Sequence, residues 1–233
     1  MQKNKSTTRK LQKFDTPAPV AAVLDVPAGH IRFIAADRTD TTVEILPANA
    51  AKGRDVQAAE QTEVAYADGV LRIKAPAARN RTLGPSGALE VTVQLPVGSR
   101  VEARAAGAEL RGVGRLGDVT FEGAQGAVKL DETANARLTL LAGDITVGRL
   151  SGSAELRTQK GDLRVDEAVR GAVTLRTEHG DISVGAARGT SAALDAGTTY
   201  GRISNTLDNT DGASAGLTIH ATTAYGDITA RSL

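Results

Sequence analysis

Gly143-Asp-Ile-Thr-Val147, Gly161-Asp-Leu-Arg-Val165 and Gly180-Asp-Ile-Ser-Val184 are one pentapeptide written three times, and their recurrence decides the fold class. Related segments flank them: Gly126-Ala-Val-Lys-Leu130 upstream, Gly201-Arg-Ile-Ser204 and Gly226-Asp-Ile-Thr229 downstream, with a weaker copy starting at Gly107. The repeat glycines stand at 107, 126, 143, 161, 180, 201 and 226, most of them 17 to 19 residues apart. Between most of them lies a second short apolar run, such as Ala136-Arg-Leu-Thr-Leu140, Ala154-Glu-Leu-Arg157 or Ala172-Val-Thr-Leu-Arg176.

Period-two alternation puts Ile145 with Val147, Leu163 with Val165, and Ile182 with Val184 on one strand face. Thr146, Arg164 and Ser183 then point the other way. A unit of two short strands and two turns cannot bury its apolar face alone. Stacking such units roughly 4.8 Å apart buries a continuous ladder and pairs each backbone with the next coil. The reading is therefore all-β: a parallel β-solenoid of about 18–19-residue coils over 101–233, with a less regular β region over 14–100. An antiparallel meander also alternates, but it does not require the same residues at the same corner. Gly143, Gly161, Gly180, Gly201 and Gly226 are expected at the corners, and Ile145, Leu163, Ile182, Ile203 and Ile228 in the inward rungs. The steps of 21 and 25 residues at the end imply insertions near 198–200 and 208–215. The last copy, 226–233, is expected to leave an open sheet edge.

Upstream, apolar runs at 20–26 and 30–34 flank Pro27-Ala-Gly29. Thr42-Val-Glu-Ile-Leu46 ends at Pro47, and residues 48–60 form a loop or one short helix. Glu63-Val-Ala-Tyr66 and Val70-Leu-Arg-Ile-Lys74 around Asp68-Gly69 read as a hairpin. Residues 75–87 form a loop, and Leu89-Glu-Val-Thr-Val-Gln-Leu95 alternates strictly.

Composition agrees with thin stacked layers. Aromatics are 3% and Trp is absent, so the core is Val, Leu, Ile and Ala. With no Cys there are no disulfides and no thiolate metal sites. Formal net charge is +1, unevenly placed: Lys3, Lys5, Arg9, Lys10 and Lys13 crowd residues 1–13, leaving 23 basic against 27 acidic residues beyond. The expectation is a flexible basic tail on a mildly acidic body, able at most to touch polyanions weakly by charge. Specific nucleic-acid binding is not expected, nor is a membrane span. No apolar segment follows the charged start, so the cytoplasm is the expected location.

These units, with Val26-Pro-Ala-Gly-His-Ile-Arg-Phe-Ile-Ala-Ala-Asp37 and Val93-Gln-Leu-Pro-Val-Gly98 ahead of them, resemble a bacterial domain family of unknown function with β-strand repeats, known as putative adhesins. The resemblance covers 14–233 and implies a solenoid-like fold, with no established reaction, substrate or catalytic residue.

Chemistry-bearing residues are few. Asp144, Asp162, Asp181 and Asp227 follow repeat glycines, with Arg202 in the fourth slot. Stacked, they form an acidic ladder of hard oxygen ligands for Ca²⁺; the competing role is to bond backbone N–H groups and hold the turns. Tyr200 and Tyr225, each before a repeat glycine, are expected to stack on adjacent coils. His30, His179 and His220 are scattered. No catalytic residue or cofactor is expected. The function read here is a non-catalytic scaffold or protein-interaction module, engaging a partner or a second copy through its faces or its open end. The alternatives are a surface adhesin, a Ca²⁺-dependent module and, last, a polysaccharide-active enzyme, which needs paired carboxylates and aromatic platforms.

Overall fold

The computed structural model describes residues 9–76 and 87–233. The N-terminal elements are β1 (Lys10–Asp15), β2 (Ala21–Ala36), β3 (Asp40–Pro47), helix α1 (Gly53–Gln61), β4 (Glu63–Ala67), β5 (Val70–Lys74) and β6 (Leu89–Pro96). β7 (Arg100–Leu116) opens the regular part. It continues through β8 (Val119–Gln125), β9 (Val128–Thr133), β10 (Ala136–Ala142), β11 (Ile145–Leu150), β12 (Ala154–Arg157), β13 (Leu163–Ala168), β14 (Gly171–Arg176) and β15 (Ile182–Ala186). The chain ends with β16 (Ala192–Tyr200), β17 (Ile203–Thr206), β18 (Leu217–Tyr225) and β19 (Ile228–Ser232).

The coils stack as two parallel ladders around one core. One runs β5, β2, β7, β8, β10, β12, β14, β18, β16. The other runs β6, β2, β7, β9, β11, β13, β15, β19, β17. This is the expected solenoid, and the parallel pairing excludes the meander. Inward rungs line up as predicted: Ile145 beside Leu163, Leu163 beside Ile182, Ile182 beside Ile228, all with no exposure. Burying each such side chain contributes roughly 1.5–3 kcal/mol.

At the corner, glycine sits on glycine. A Cβ at Gly161 would lie 2.2 Å from the Gly143 carbonyl oxygen, and its φ of +144° suits glycine alone. The copy expected at Gly107 is displaced by one residue, because Ala108 is the residue that stacks under Gly126. The same corner continues upstream to Gly29, where a Cβ would meet the Leu89 carbonyl at 1.8 Å. The runs on either side of Pro27-Ala-Gly29 are thus one bent strand, β2, which forms a coil of its own.

Spatial order departs from chain order at both ends. β2 lies between the β5–β6 coil and β7. β18 lies between β14 and β16, and β19 between β15 and β17. After β15 the chain passes over one coil position, forms β16 and β17, then returns through 207–216 to fill the gap. The C-terminal strands are therefore not the open edge that the sequence suggested; β16 and β17 are. The insertion expected at 198–200 also fails, since those residues finish β16. The extra length lies at 187–191, where the chain steps over a rung, and at 207–216, where it steps back.

The N-terminal end is closed. β3 runs antiparallel on β6, β1 antiparallel on β3, and β4 antiparallel on β5. Asp68 (φ 51°) and Gly69 (φ 76°) make the primed turn of the predicted hairpin. Helix α1 covers the end with Ala58 and Ala59, and Phe14 meets Tyr66 at 5.5 Å. The tail expected over residues 1–13 does not hold for Lys10 to Lys13, which belong to β1; residues 1–8 lie outside the described residues. Lys10 Nζ donates to the Thr62 carbonyl at 2.5 Å, Lys13 pairs with Asp40 at 3.1 Å, and Arg9 pairs with Glu44 at 2.5 Å. Three of the five clustered cations are thereby engaged by the body; Lys3 and Lys5 lie outside the described residues. The loop expected at 75–87 falls mostly on 77–86, also outside them.

Candidate functional site

The Gly-Asp corners were the sequence's most conspicuous polar feature, and the structure shows what they do. Asp162 N donates to Asp144 Oδ1 at 2.8 Å, Asp181 N to Asp162 Oδ1 at 2.8 Å, and Asp227 N to Asp181 Oδ1 at 2.8 Å. Each carboxylate holds the backbone of the next coil. Arg202, fourth in chain order, stands last in space and ends this ladder. Its backbone N–H donates to Asp227 Oδ1 at 2.9 Å and its guanidinium to Asp227 Oδ2 at 2.9 Å. These two bonds hold the Asp227 carboxyl below the usual carboxylate range, the backbone bond most strongly. Among the described residues no three His, Cys, Asp or Glu side chains gather where they could hold a metal ion.

A second ladder runs beside the first and was missed in the sequence. Thr177 Oγ1 donates to the Gly161 carbonyl at 3.0 Å, Thr223 to Gly180 at 3.0 Å, and Thr198 to Gly226 at 3.0 Å; Thr158 reaches Gly143 at 3.3 Å. The signal was present: a threonine stands three residues before Gly161, Gly180, Gly201 and Gly226. The opposite corner is tied likewise, with Asn135 bonding Asp118 and accepting from Ser153 N. A shallow depression there is lined by these residues with Arg137 and Glu155.

Outside the corner, the residues before the glycines form a stack. His179 lies 4.9 Å from Tyr225 and Tyr225 5.0 Å from Tyr200, both pairs within 8° of parallel. The expected tyrosine stacking is thus present, and it faces solvent: Tyr225 is 51% and Tyr200 63% exposed. The stack ends at Tyr200, on the last coil. Ile203, in the rung where Ile228 and Ile182 are fully buried, is 46% exposed because no coil covers it. Gly201 to Thr206 are exposed throughout.

The remaining histidines stay apart: His30 faces Glu109 at 3.5 Å, and His220 faces Asp195 at 3.3 Å. The outward row expected at Thr146, Arg164 and Ser183 is present, and a second row runs along the other ladder. Thr146, Arg164 and Ser183 are neighbours on one ladder, Glu155 with Thr174 and Arg157 with Arg176 on the other. Several are locked in surface ion pairs, such as Arg137 and Arg157 on Glu155.

A family model described as Toastrack DUF4097 matches residues 23–231. No curated protein matches the chain. The crystal structure of a putative adhesin from Bacteroides fragilis superposes with a TM-score of 0.56 at 15% identity, over 97% of this chain and 98% of that one. A putative lipid binding protein from Parabacteroides distasonis gives 0.46 at 13% identity, over 95% and 96%. A putative adhesin from the same organism gives 0.45 at 14% identity, over 98% of both chains.

Proposed function

The chain belongs to the Toastrack DUF4097 family, a domain family of unknown function, and from that premise we propose a non-catalytic scaffold that binds a protein partner through its last coil. The observation that carries this reading is a division of labour among side chains. The carboxylates and hydroxyls that chemistry would recruit are engaged in holding coil to coil. Of the large apolar groups left in solvent, Tyr200, Ile203 and Tyr225 gather on and beside one coil, whereas Leu11 in β1 and Leu141 in β10 stand singly. Exposed aromatic anchors beside unpaired strands suit protein recognition by strand addition.

Crosslinking affinity purification from the native host tests the proposal. It compares the full chain, a form lacking residues 1–8, and the Tyr200→Ala/Ile203→Ser double variant. One stoichiometric protein retained by the first two and lost from the third is expected, with melting temperature unchanged. Retention of every partner by the double variant would overturn it.

A further inference from the structure

Resting on that reading of the last coil, we infer that its occupant is a second copy of this chain, docked end to end about a two-fold axis. The two ends of the stack differ. At the N-terminal end the inward rungs Leu71, Ile73, Val91 and Val93 are at most 2% exposed, covered by antiparallel strands and α1. The edge strands there are β1, which carries Lys10 and Lys13, and β4, which opens on Glu63, charges of the kind that blunt a sheet edge. At the other end β16 pairs as a strand only with β18 and β17 only with β19 among the described residues; the returning segment meets the start of β16, where Ala192 N donates to the Asp208 carbonyl at 2.9 Å, and the corner-side part of β16 and all of β17 stay open. Neither contains Lys, Arg, Glu or Pro. A head-to-tail contact would need two complementary parallel ends, and among the described residues the N-terminal end is covered by antiparallel strands and helix α1. Only a contact of the β16–β17 end with itself closes, so the assembly is a dimer and not a fibre.

The coil is built for such a contact. Its charges are satisfied internally: Arg202 by Asp227 at 2.9 Å, Asp195 by His220 at 3.3 Å. At the corner itself, two copies can approach without bringing unpaired like charges together; Asp208 and Asp211 sit at the far end of β16. A two-fold axis bisecting the corner between Tyr200 and Ile203 exchanges the arms of that corner. It lays β16 of one copy antiparallel on β17 of its partner, and the reverse. The same axis stacks the outer face of Tyr200 on the partner's Tyr200, extending the column of His179, Tyr225 and Tyr200. Ile203 of each copy is then covered as Ile228 already is.

The test uses the full chain, which contains no cysteine. Sedimentation and light scattering across a hundredfold concentration range should give twice the 24.0 kDa chain mass at the upper end. Ile203→Lys, which alters a residue exposed in the single chain, should return the mass to that of one chain, with the melting temperature of the dilute, monomeric wild type. Tyr200→Cys, near the axis, should form a covalent dimer on mild oxidation, and Arg137→Cys, in the middle of the stack, should not. A monomer at every concentration overturns the inference, as does a dimer that Ile203→Lys leaves intact. If the chain is monomeric yet a host protein is still lost from the Tyr200→Ala/Ile203→Ser variant, the self-docking inference fails and the binding reading stands. Loss of neither overturns both.

Discussion

A buried carbonyl or N–H must find a partner, and in this protein single polar side chains meet that demand rung by rung. Asp181 is representative. It accepts the Asp227 N–H from the next coil, while Thr177 and Thr223 satisfy glycine carbonyls on the inner side of the corner. The bond needs an acceptor oxygen and not a charge. Asp181→Asn is therefore expected to keep the melting temperature within a degree or two, whereas Asp181→Ala loses about 1 kcal/mol. Calcium at millimolar concentration should shift the melting of neither wild type nor Asp181→Asn. A calcium-dependent rise in the wild type that Asp181→Asn abolishes would restore the ladder to metal binding.

At the scale of the strand, the exchange of the last two coils decides which side chains matter. In chain order Ile228 would be terminal and Ile203 internal; in space Ile228 lies between Ile182 and Ile203. Ile228→Ala opens a cavity in a fully buried rung and should cost about 3 kcal/mol. Ile203→Ala, on the outermost coil, should cost less than about 1 kcal/mol. Urea denaturation of the two variants separates these outcomes, and a reversed ranking would contradict the coil order. Hydrophobic periodicity made the strands of the repeat legible at this scale. It did not reveal that β2 and β7 each bend round a corner as one strand: Pro27 reads as a break in the first, and Ala108 carries no glycine signal in the second.

Across the whole molecule, the two carboxylates whose ionised forms are most favoured sit at opposite ends of the stack. Hydrogen bonds from Arg38 and Lys13 hold Asp40 down to about 2 from an ordinary 3.8, and they tie β1 to the edge of the N-terminal cap. Asp227, lowered by Arg202, anchors the last coil. A carboxyl depressed in the folded state contributes stability that is present above its unfolded value and lost as pH falls through the folded one. Melting temperature should therefore decline from about pH 4 towards pH 2, with hydrogen exchange accelerating first in β1 and in β16–β17. In Asp40→Asn the decline should be shallower. An identical slope in the variant would remove Asp40 from this account.

Repeat spacing and period-two alternation were sufficient to determine a parallel solenoid, its glycine corners, its inward Ile and Leu rungs and the stacking of Tyr200 on Tyr225. Those features depend on contacts between one coil and the next, and each copy of the repeat states them again. Which coil lies outermost was settled only in three dimensions. Every coil presents nearly the same edge, so local pattern cannot distinguish a chain that adds coils in order from one that passes a position and returns to fill it. The links at 187–191 and 207–216, together with the burial gained by sealing β18–β19 inside, make that choice. In making it they leave Tyr200 and Ile203 in solvent, and with them the surface on which the proposed function rests.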